Sequence, residues 1–279
     1  MTDRIHMFSG HLPKAFRENR QILKRINFVI EVVDARAPQS TQNLCINQKI
    51  INKPIFLLLN KVDLADPIQV KAFIRKNKNN FADILITEAN SNILIKEFLR
   101  QLKSNIVFKK LRTNKKQFLK ALVIGGPNTG KSTFINHIVR KRVSRTNNSP
   151  DSTKKFVVAK TRYNINFIDA PSLLLKKIEN KSIRKKNDLL ENPKNSFFTN
   201  KQLALWFINF AQQYYPANIP IRYKINHFSL DNASAALMSI TSQLGMQQNF
   251  GKASQKILDD FRRGEFGKIS LDYYGDSYL

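Results

Sequence analysis

The residues best suited to do chemistry in this chain are Gly125-Gly126-Pro127-Asn128-Thr129-Gly130-Lys131-Ser132. Glycines framing a run that ends in lysine and a hydroxyl let backbone N–H groups curl around a polyphosphate. Lys131 then reaches the β- and γ-phosphates, and Ser132 offers an oxygen to Mg²⁺. Asn128, Thr129, Gly130 and Thr133 complete the expected phosphate contacts. A second group, Asn60-Lys61-Val62-Asp63, suits a base. A carboxylate at Asp63 accepts from both N1–H and the 2-amino group of guanine, whereas adenine would set acceptor against acceptor and leave a buried group unpaired. Together the two groups imply GTP and GDP.

Both must be held at the ends of strands, and the sequence supplies them. Apolar, β-branched runs recur at Phe28–Val33, Pro54–Leu59, Ile84–Ile86, Ala121–Ile124, Phe156–Ala159 and Ile165–Ile168, with helical or polar stretches between. That alternation predicts an α/β fold, a mostly parallel doubly wound sheet, in which ligands sit beyond the carboxyl ends of strands. The phosphate loop follows Ala121–Ile124 and opens the apolar-periodic Thr133–Val139, while Asn60 directly follows Pro54–Leu59. The base motif therefore precedes the phosphate motif, the reverse of an ordinary small GTPase, so the motif order is circularly permuted. Because the loops share one edge of one sheet, moving the termini preserves their arrangement. After Ile84–Ile86, Thr87, Glu88 and Ala89 stand where backbone would contact the base oxygen.

Downstream, Ser149-Pro150-Asp151-Ser152-Thr153-Lys154 fills the first switch, with Thr153 a candidate Mg²⁺ ligand. Asp169-Ala170-Pro171-Ser172 fills a DxPG position, where Asp169 would hold Mg²⁺ through water. Ser172 replaces the glycine whose N–H turns to the γ-phosphate, with less freedom in φ. The next residue, Leu173, can neither orient nor deprotonate water. Hydrolysis must borrow a group from elsewhere or be slow without a partner.

At this point the chain resembles the YlqF family of circularly permuted GTPases, also called ribosome biogenesis GTPase A. Phe8-Ser9-Gly10-His11-Leu12-Pro13-Lys14-Ala15 is similar to that family's FPGHMxKA opening, and Asp34-Ala35-Arg36-Ala37-Pro38-Gln39-Ser40 to its DARxPxS signature. Asp260-Phe261-Arg262-Arg263-Gly264-Glu265-Phe266-Gly267-Lys268-Ile269 resembles its closing FRxGxLGxI segment. The likeness spans almost the whole chain and fails mainly across about 174–200. It implies a GTPase serving assembly of the large (50S) ribosomal subunit, stimulated by the ribosomal particle, with rRNA and ribosomal proteins as partners. It also implies a catalytic role for His11, and the similarity of Asn128 to an asparagine of related potassium-dependent GTPases implies K⁺ held near the phosphates. On the residues alone, His11 also fits a structural turn, and Asn128 fits a residue that tolerates a strained loop.

Composition bounds the rest. There are 47 Lys and Arg against 20 Asp and Glu, a formal charge of +27. Residues 101–120 carry seven basic side chains and no acid, a clustering that suits a polyanion better than a solvated helix face. No apolar run is long enough to span a bilayer and no secretory leader is legible, so a cytoplasmic protein with no membrane partner is expected, monomeric by default. Cys45 is the single cysteine.

From about 200 the spacing becomes helical, over Asn200–Tyr214, Asp231–Leu244 and Ser254–Phe261, with Asp231 and Ser254 as expected caps. Trp206, Phe207 and Phe210 read as core before they read as a base-stacking surface. Arg262, Arg263 and Lys268 are expected to dock RNA. The expected organisation is a GTPase domain over 1–175 with an N-terminal segment 1–22, a basic linker over 176–200, and a small all-α domain over 201–279. The alternative function, suggested by Asp151, Glu88 and Ser172, is a nucleotide-gated RNA-binding module with little hydrolysis.

Overall fold

The computed structural model of the chain describes residues 24–42, 53–87, 92–111, 118–139, 157–161, 163–170, 180–191, 196–225, 232–247 and 249–275. His11, Cys45, Glu88, Ala89, Thr153, Ser172 and Leu173 lie outside them.

Six strands, each on one of the apolar runs, form a single sheet: β1 (Phe28–Asp34), β2 (Ile55–Asn60), β3 (Asp83–Thr87), β4 (Leu119–Gly125), β5 (Val157–Ala159) and β6 (Ile165–Asp169), in the order β3-β2-β1-β4-β6-β5. The ladders β1–β4, β2–β3 and β4–β6 are parallel, and β5 lies antiparallel on the β6 edge. Every residue of β1 is buried, as a strand covered on both faces must be. Helices on this part of the chain include α3 (Asn92–Ser104), α4 (Ile106–Leu111) and α5 (Lys131–Val139), which follow α1 (Pro38–Thr41) and α2 (Pro67–Asn77) in sequence. One core unites the sheet with α3, α4 and α5. Phe28 meets Phe56 and Phe108 edge-on at centroid separations of 5.5 and 5.6 Å, and Phe134 meets Phe98 at 4.9 Å. Edge-to-face contacts of this kind fix ring orientation as well as burying area. Phe134 thereby pins the helix that follows the phosphate loop.

The remaining helices are α6 (Lys181–Glu191), α7 (Asn200–Tyr214), α8 (Asn218–Tyr223), α9 (Ala233–Gln243) and α10 (Phe250–Arg263). Their core gathers Leu203, Phe207, Ile208, Leu237, Ile240, Ile257, Phe261 and Phe266. Thr199 and Gln202 close α7 with a reciprocal capping box. The caps of the next two helices differ from the sequence expectation. Asn232 caps α9, and Asn249 caps α10 by accepting from Lys252 N–H. Ser254 is instead a buried residue inside α10, because the polar stretch from 249 continues the helical register of the apolar one. Helix α6 occupies the middle of the lysine-rich stretch expected as linker.

By contacts the chain divides into two compact units. One takes in Met1–Val33, Gln42–Asn60 and Asn77–Lys176, the other Asp34–Thr41, Lys61–Lys76 and Lys177–Leu279. No helix among the described residues is long and apolar enough to cross a membrane.

Candidate nucleotide site

In the sheet-bearing unit the phosphate loop springs from β4. Gly125 ends that strand so close to its neighbour that an added Cβ would lie 2.6 Å from the Val32 carbonyl oxygen, which explains glycine at this position. The loop then turns through left-handed backbone at Asn128 (φ 55°) and Gly130 (φ 93°). Asn128 tolerates a conformation most side chains avoid. Thr129 is buried and closes the turn on itself, its Oγ1 donating to the Gly126 carbonyl at 2.9 Å. Lys131 opens α5, and its Nζ donates to Asp169 Oδ1 and, at 3.0 Å, to the Ala170 carbonyl. The β4–β6 register, with Val123 opposite Asp169, is what delivers that carboxylate to the phosphate-loop lysine. Ser132 and Thr133 are half-buried in the first turn of the helix.

Asn60, the last residue of β2, is fully buried, and its Nδ2 donates to the Thr129 carbonyl at 2.6 Å. This bond fastens the base motif to the phosphate loop although the two are 69 residues apart in sequence. Asn60 Oδ1 is buried with no hydrogen-bond partner among the described residues, a condition that a ligand donor would relieve. Thr87 is buried at the end of β3 and pairs with Asn60 across the β2–β3 ladder. The structure therefore assembles Asn60, Thr87, Asn128, Thr129, Gly130, Lys131, Ser132, Thr133 and Asp169 on one sheet edge. Glu88, Ala89, Ser172, Thr153 and His11, also expected at this site, fall outside the described residues.

The second unit holds the rest of the base motif. Lys61 takes left-handed backbone (φ 61°), after which Val62–Leu64 make a single 3₁₀ turn that leaves Asp63 exposed. The Lys61 ammonium donates to Asp34 Oδ2 at 2.9 Å. Asp34 is the first residue of the DARAPQS stretch and is almost wholly buried. It also accepts from Arg36 through Nε at 3.0 Å and Nη2 at 2.8 Å. Burial by itself would raise the Asp34 carboxyl, but Arg36 and Lys61 outweigh it and hold the group well below the ordinary carboxylate range. Arg36, itself buried, donates through Nη1 to the Phe261 and Arg262 carbonyls, satisfying the last turn of α10. Ser40 and the backbone N–H of Gln39 donate to Asp272.

The opposite flank of the same turn is fixed by the closing segment. Gly264 is the left-handed cap of α10, and a Cβ there would lie 2.6 Å from Leu64 Cδ2. The Ile269 N–H donates to the Leu64 carbonyl at 3.2 Å. Three separate sequence signatures thus meet around Lys61–Leu64. Sequence reasoning noticed each of them and missed that they form one clamp. It also missed Glu191, at the end of α6, which burial and the neighbouring Asp188 push up to about 8 against the opposing pull of Lys61.

The oxygen donors fit Mg²⁺. Ser132 and Asp169 are hard ligands, and among the described residues no cluster of His, Cys, Asp and Glu would make an all-protein cage. Arg262 departs from the expectation that it docks RNA. It donates to Asp259 and to the Leu189 carbonyl at 2.8 Å, while Arg263 and Lys268 are exposed.

Comparison with known proteins bears directly on this geometry. The profile of a family described as 50S ribosome-binding GTPase matches residues 120–232. A Mycoplasma pneumoniae protein named probable ribosome biogenesis GTPase A is 30% identical, the match covering 96% of each chain. Ribosome biogenesis GTPase A from Priestia megaterium is 28% identical, again over 96% of both. Among solved structures, GNP-bound YlqF from T. maritima superposes with a TM-score of 0.63 at 21% identity, covering 93% of this chain and 97% of that one. The last likeness extends the fold over both units.

Proposed function

This chain belongs to the ribosome biogenesis GTPase A family and is a GTP hydrolase, and on that premise we propose that it serves assembly of the large (50S) ribosomal subunit, its turnover stimulated by the ribosomal particle. The observation that carries the site assignment is the Asn60–Thr129 bond, which ties a guanine-type motif to a phosphate loop that follows it in sequence.

In the proposed complex Asn60, Lys61 and Asp63 select guanine, with Thr87, Glu88 and Ala89 lining the base. The backbone of Asn128, Thr129, Gly130, Lys131, Ser132 and Thr133 cradles the phosphates. Ser132, Asp169 and Thr153 would hold Mg²⁺, which when bound would supply positive charge to offset that of the phosphates. Asn128 would contribute to a K⁺ site beside them. Lys131 delivers a positive charge where negative charge grows as the bond breaks, and Ser172 offers its N–H to the same oxygens. Leu173 cannot orient water, so His11 takes that role, its imidazole polarising the attacking water. The partners are rRNA and proteins of the large subunit, and the compartment is the cytoplasm.

Single-turnover hydrolysis in KCl and in NaCl, with and without large subunits, tests this. Stimulation of wild type that is lost in His11→Ala, with GTP still bound, is the expected result. Bound GTP that no particle or cation causes to be hydrolysed would replace this reading with a nucleotide-gated RNA-binding module.

A further inference from the structure

Helix α7 presents two faces with different fates. Phe207 and Ala211 point into the core and are fully buried, whereas Trp206, Phe210 and Tyr214, spaced by four, remain half-exposed. Their rings form a ladder. Trp206 and Phe210 stack at 5.7 Å with planes 21° apart, Phe210 and Tyr214 approach to 4.8 Å, and Tyr214 meets Tyr273 at 4.4 Å. A cavity of about 340 Å³ opens along it, at the lower end of the range for ligand pockets. Its polar lining is Ser182, Lys186, Asn209 and Gln213.

Those two sets of side chains do different jobs. Trp206 and Phe210 pack on the helical core by one side, the Phe210–Tyr214 and Tyr214–Tyr273 planes are tilted by 45° and 33°, and the faces left half-exposed tolerate any planar π system. Asn209 and Gln213 are exposed amides that can both donate and accept, as the edge of a base requires. Lys186 is held in place by Asp272 Oδ1 at 2.8 Å, which uses one of its three donors. Lys181 and Lys185 each precede a pocket-lining residue on α6. The charge of the whole chain, +27, complements a polyanion and disfavours a basic or apolar partner.

We infer that the Trp206–Phe210–Tyr214–Tyr273 ladder is a binding site for an unpaired nucleobase of single-stranded RNA, with Asn209 and Gln213 meeting the base edge and Lys186 the adjoining phosphate. This rests on the reading of the chain as an rRNA-binding factor and adds which form of RNA it takes. Paired bases are stacked on each other and cannot enter, so the site distinguishes loops, bulges and unfinished segments from finished helices.

Trp206 is the single tryptophan, so fluorescence excited selectively at tryptophan reports on this pocket. Short unstructured oligoribonucleotides and an RNA duplex of equal length are titrated into the full chain. The single strands should quench Trp206 and the duplex should not. Phe210→Ala should weaken single-strand binding by about 5- to 100-fold, the loss expected for one base stack, and leave duplex binding unchanged. Phe210→Tyr should retain binding. Gln213→Glu, at an exposed position, should weaken it too without threatening the fold, which thermal unfolding checks. Single-strand binding without quenching, or unaffected by both Phe210→Ala and Gln213→Glu, overturns the site. If duplex and ribosomal particles still bind in that case, only this inference fails. If no RNA and no particle binds, the assembly reading fails with it.

Discussion

Asp34 is the residue whose removal reaches furthest. It neutralises a buried Arg36 and anchors the ammonium of Lys61, so Asp34→Asn leaves one cation buried without its carboxylate and takes an ion-pair partner from the other. Breaking a buried pair by removing one partner costs about 3–5 kcal/mol. Denaturant unfolding should show a loss of that size. The GDP dissociation rate should rise as well, because Lys61 and Asp63 share the turn that Asp34 holds. Lys61→Met is the control: with Lys61 partly exposed and Arg36 still paired, its stability loss should be smaller while nucleotide release is also faster. Equal GDP release in wild type and Asp34→Asn would separate the DARAPQS stretch from the nucleotide. Gly125→Ala acts by a simpler route. Its Cβ meets a backbone carbonyl that cannot yield without shifting β1, a strain of about 1–3 kcal/mol, and phosphate binding should fall with it.

Elements differ in how openly the sequence announces them, and the reasons are physical. The central strands are the most legible because a covered strand must be a largely apolar run, and FVIEVVD and LKALVIG have no other use for one. Helix α6 is not, since KSIRKKNDLLE buries only its last residues and shows a polar face that reads as linker. The start of α10 is missed for a related reason: Ser254 has the chemistry of a cap but the burial of a core residue, and Asn249 caps a turn earlier. Phosphate and base motifs are legible because their chemistry is local. The clamp around Lys61–Leu64 is not, because its parts come from residues 34–36, 61–64 and 264–269, and only the folded chain joins them. At the end of α6, Glu191 gives a prediction of element stability. Its carboxyl, near 4.5 when solvated, is pushed up to about 8. The folded chain therefore keeps a proton that the unfolded chain releases, and stability falls as pH rises from about 4.5 through about 8. Glu191→Gln should remove that dependence, matching wild type near the low end of the window and exceeding it by on the order of a few kcal/mol above it, as thermal unfolding across pH would record. Identical pH profiles would show that α6 ends without a buried proton.

At the scale of the whole molecule two properties are legible without any structure, the permuted motif order and the charge. The permutation leaves no mark on the sheet edge: β4 still carries the phosphate loop, β2 still ends in Asn60, and a single hydrogen bond reunites what the chain order separates. The charge has consequences a fold cannot hide. If RNA is gripped through its phosphates, log K should fall linearly with log salt, and six contacts would lose about 10³-fold between roughly 50 and 200 mM. Arg262 cannot be one of them, being held by Asp259 and the Leu189 carbonyl, whereas Arg263 and Lys268 are exposed on the same segment. Arg263→Gln and Lys268→Gln should each make the salt slope shallower by about one contact and weaken all RNA sequences alike. Phe210→Ala should lower affinity with the slope intact, because stacking releases no counterions. Measuring both slopes on one unstructured RNA separates the two contributions. Charge variants that leave the slope unchanged would place the polyanion contacts elsewhere, with the basic runs near 101–120 the next to test.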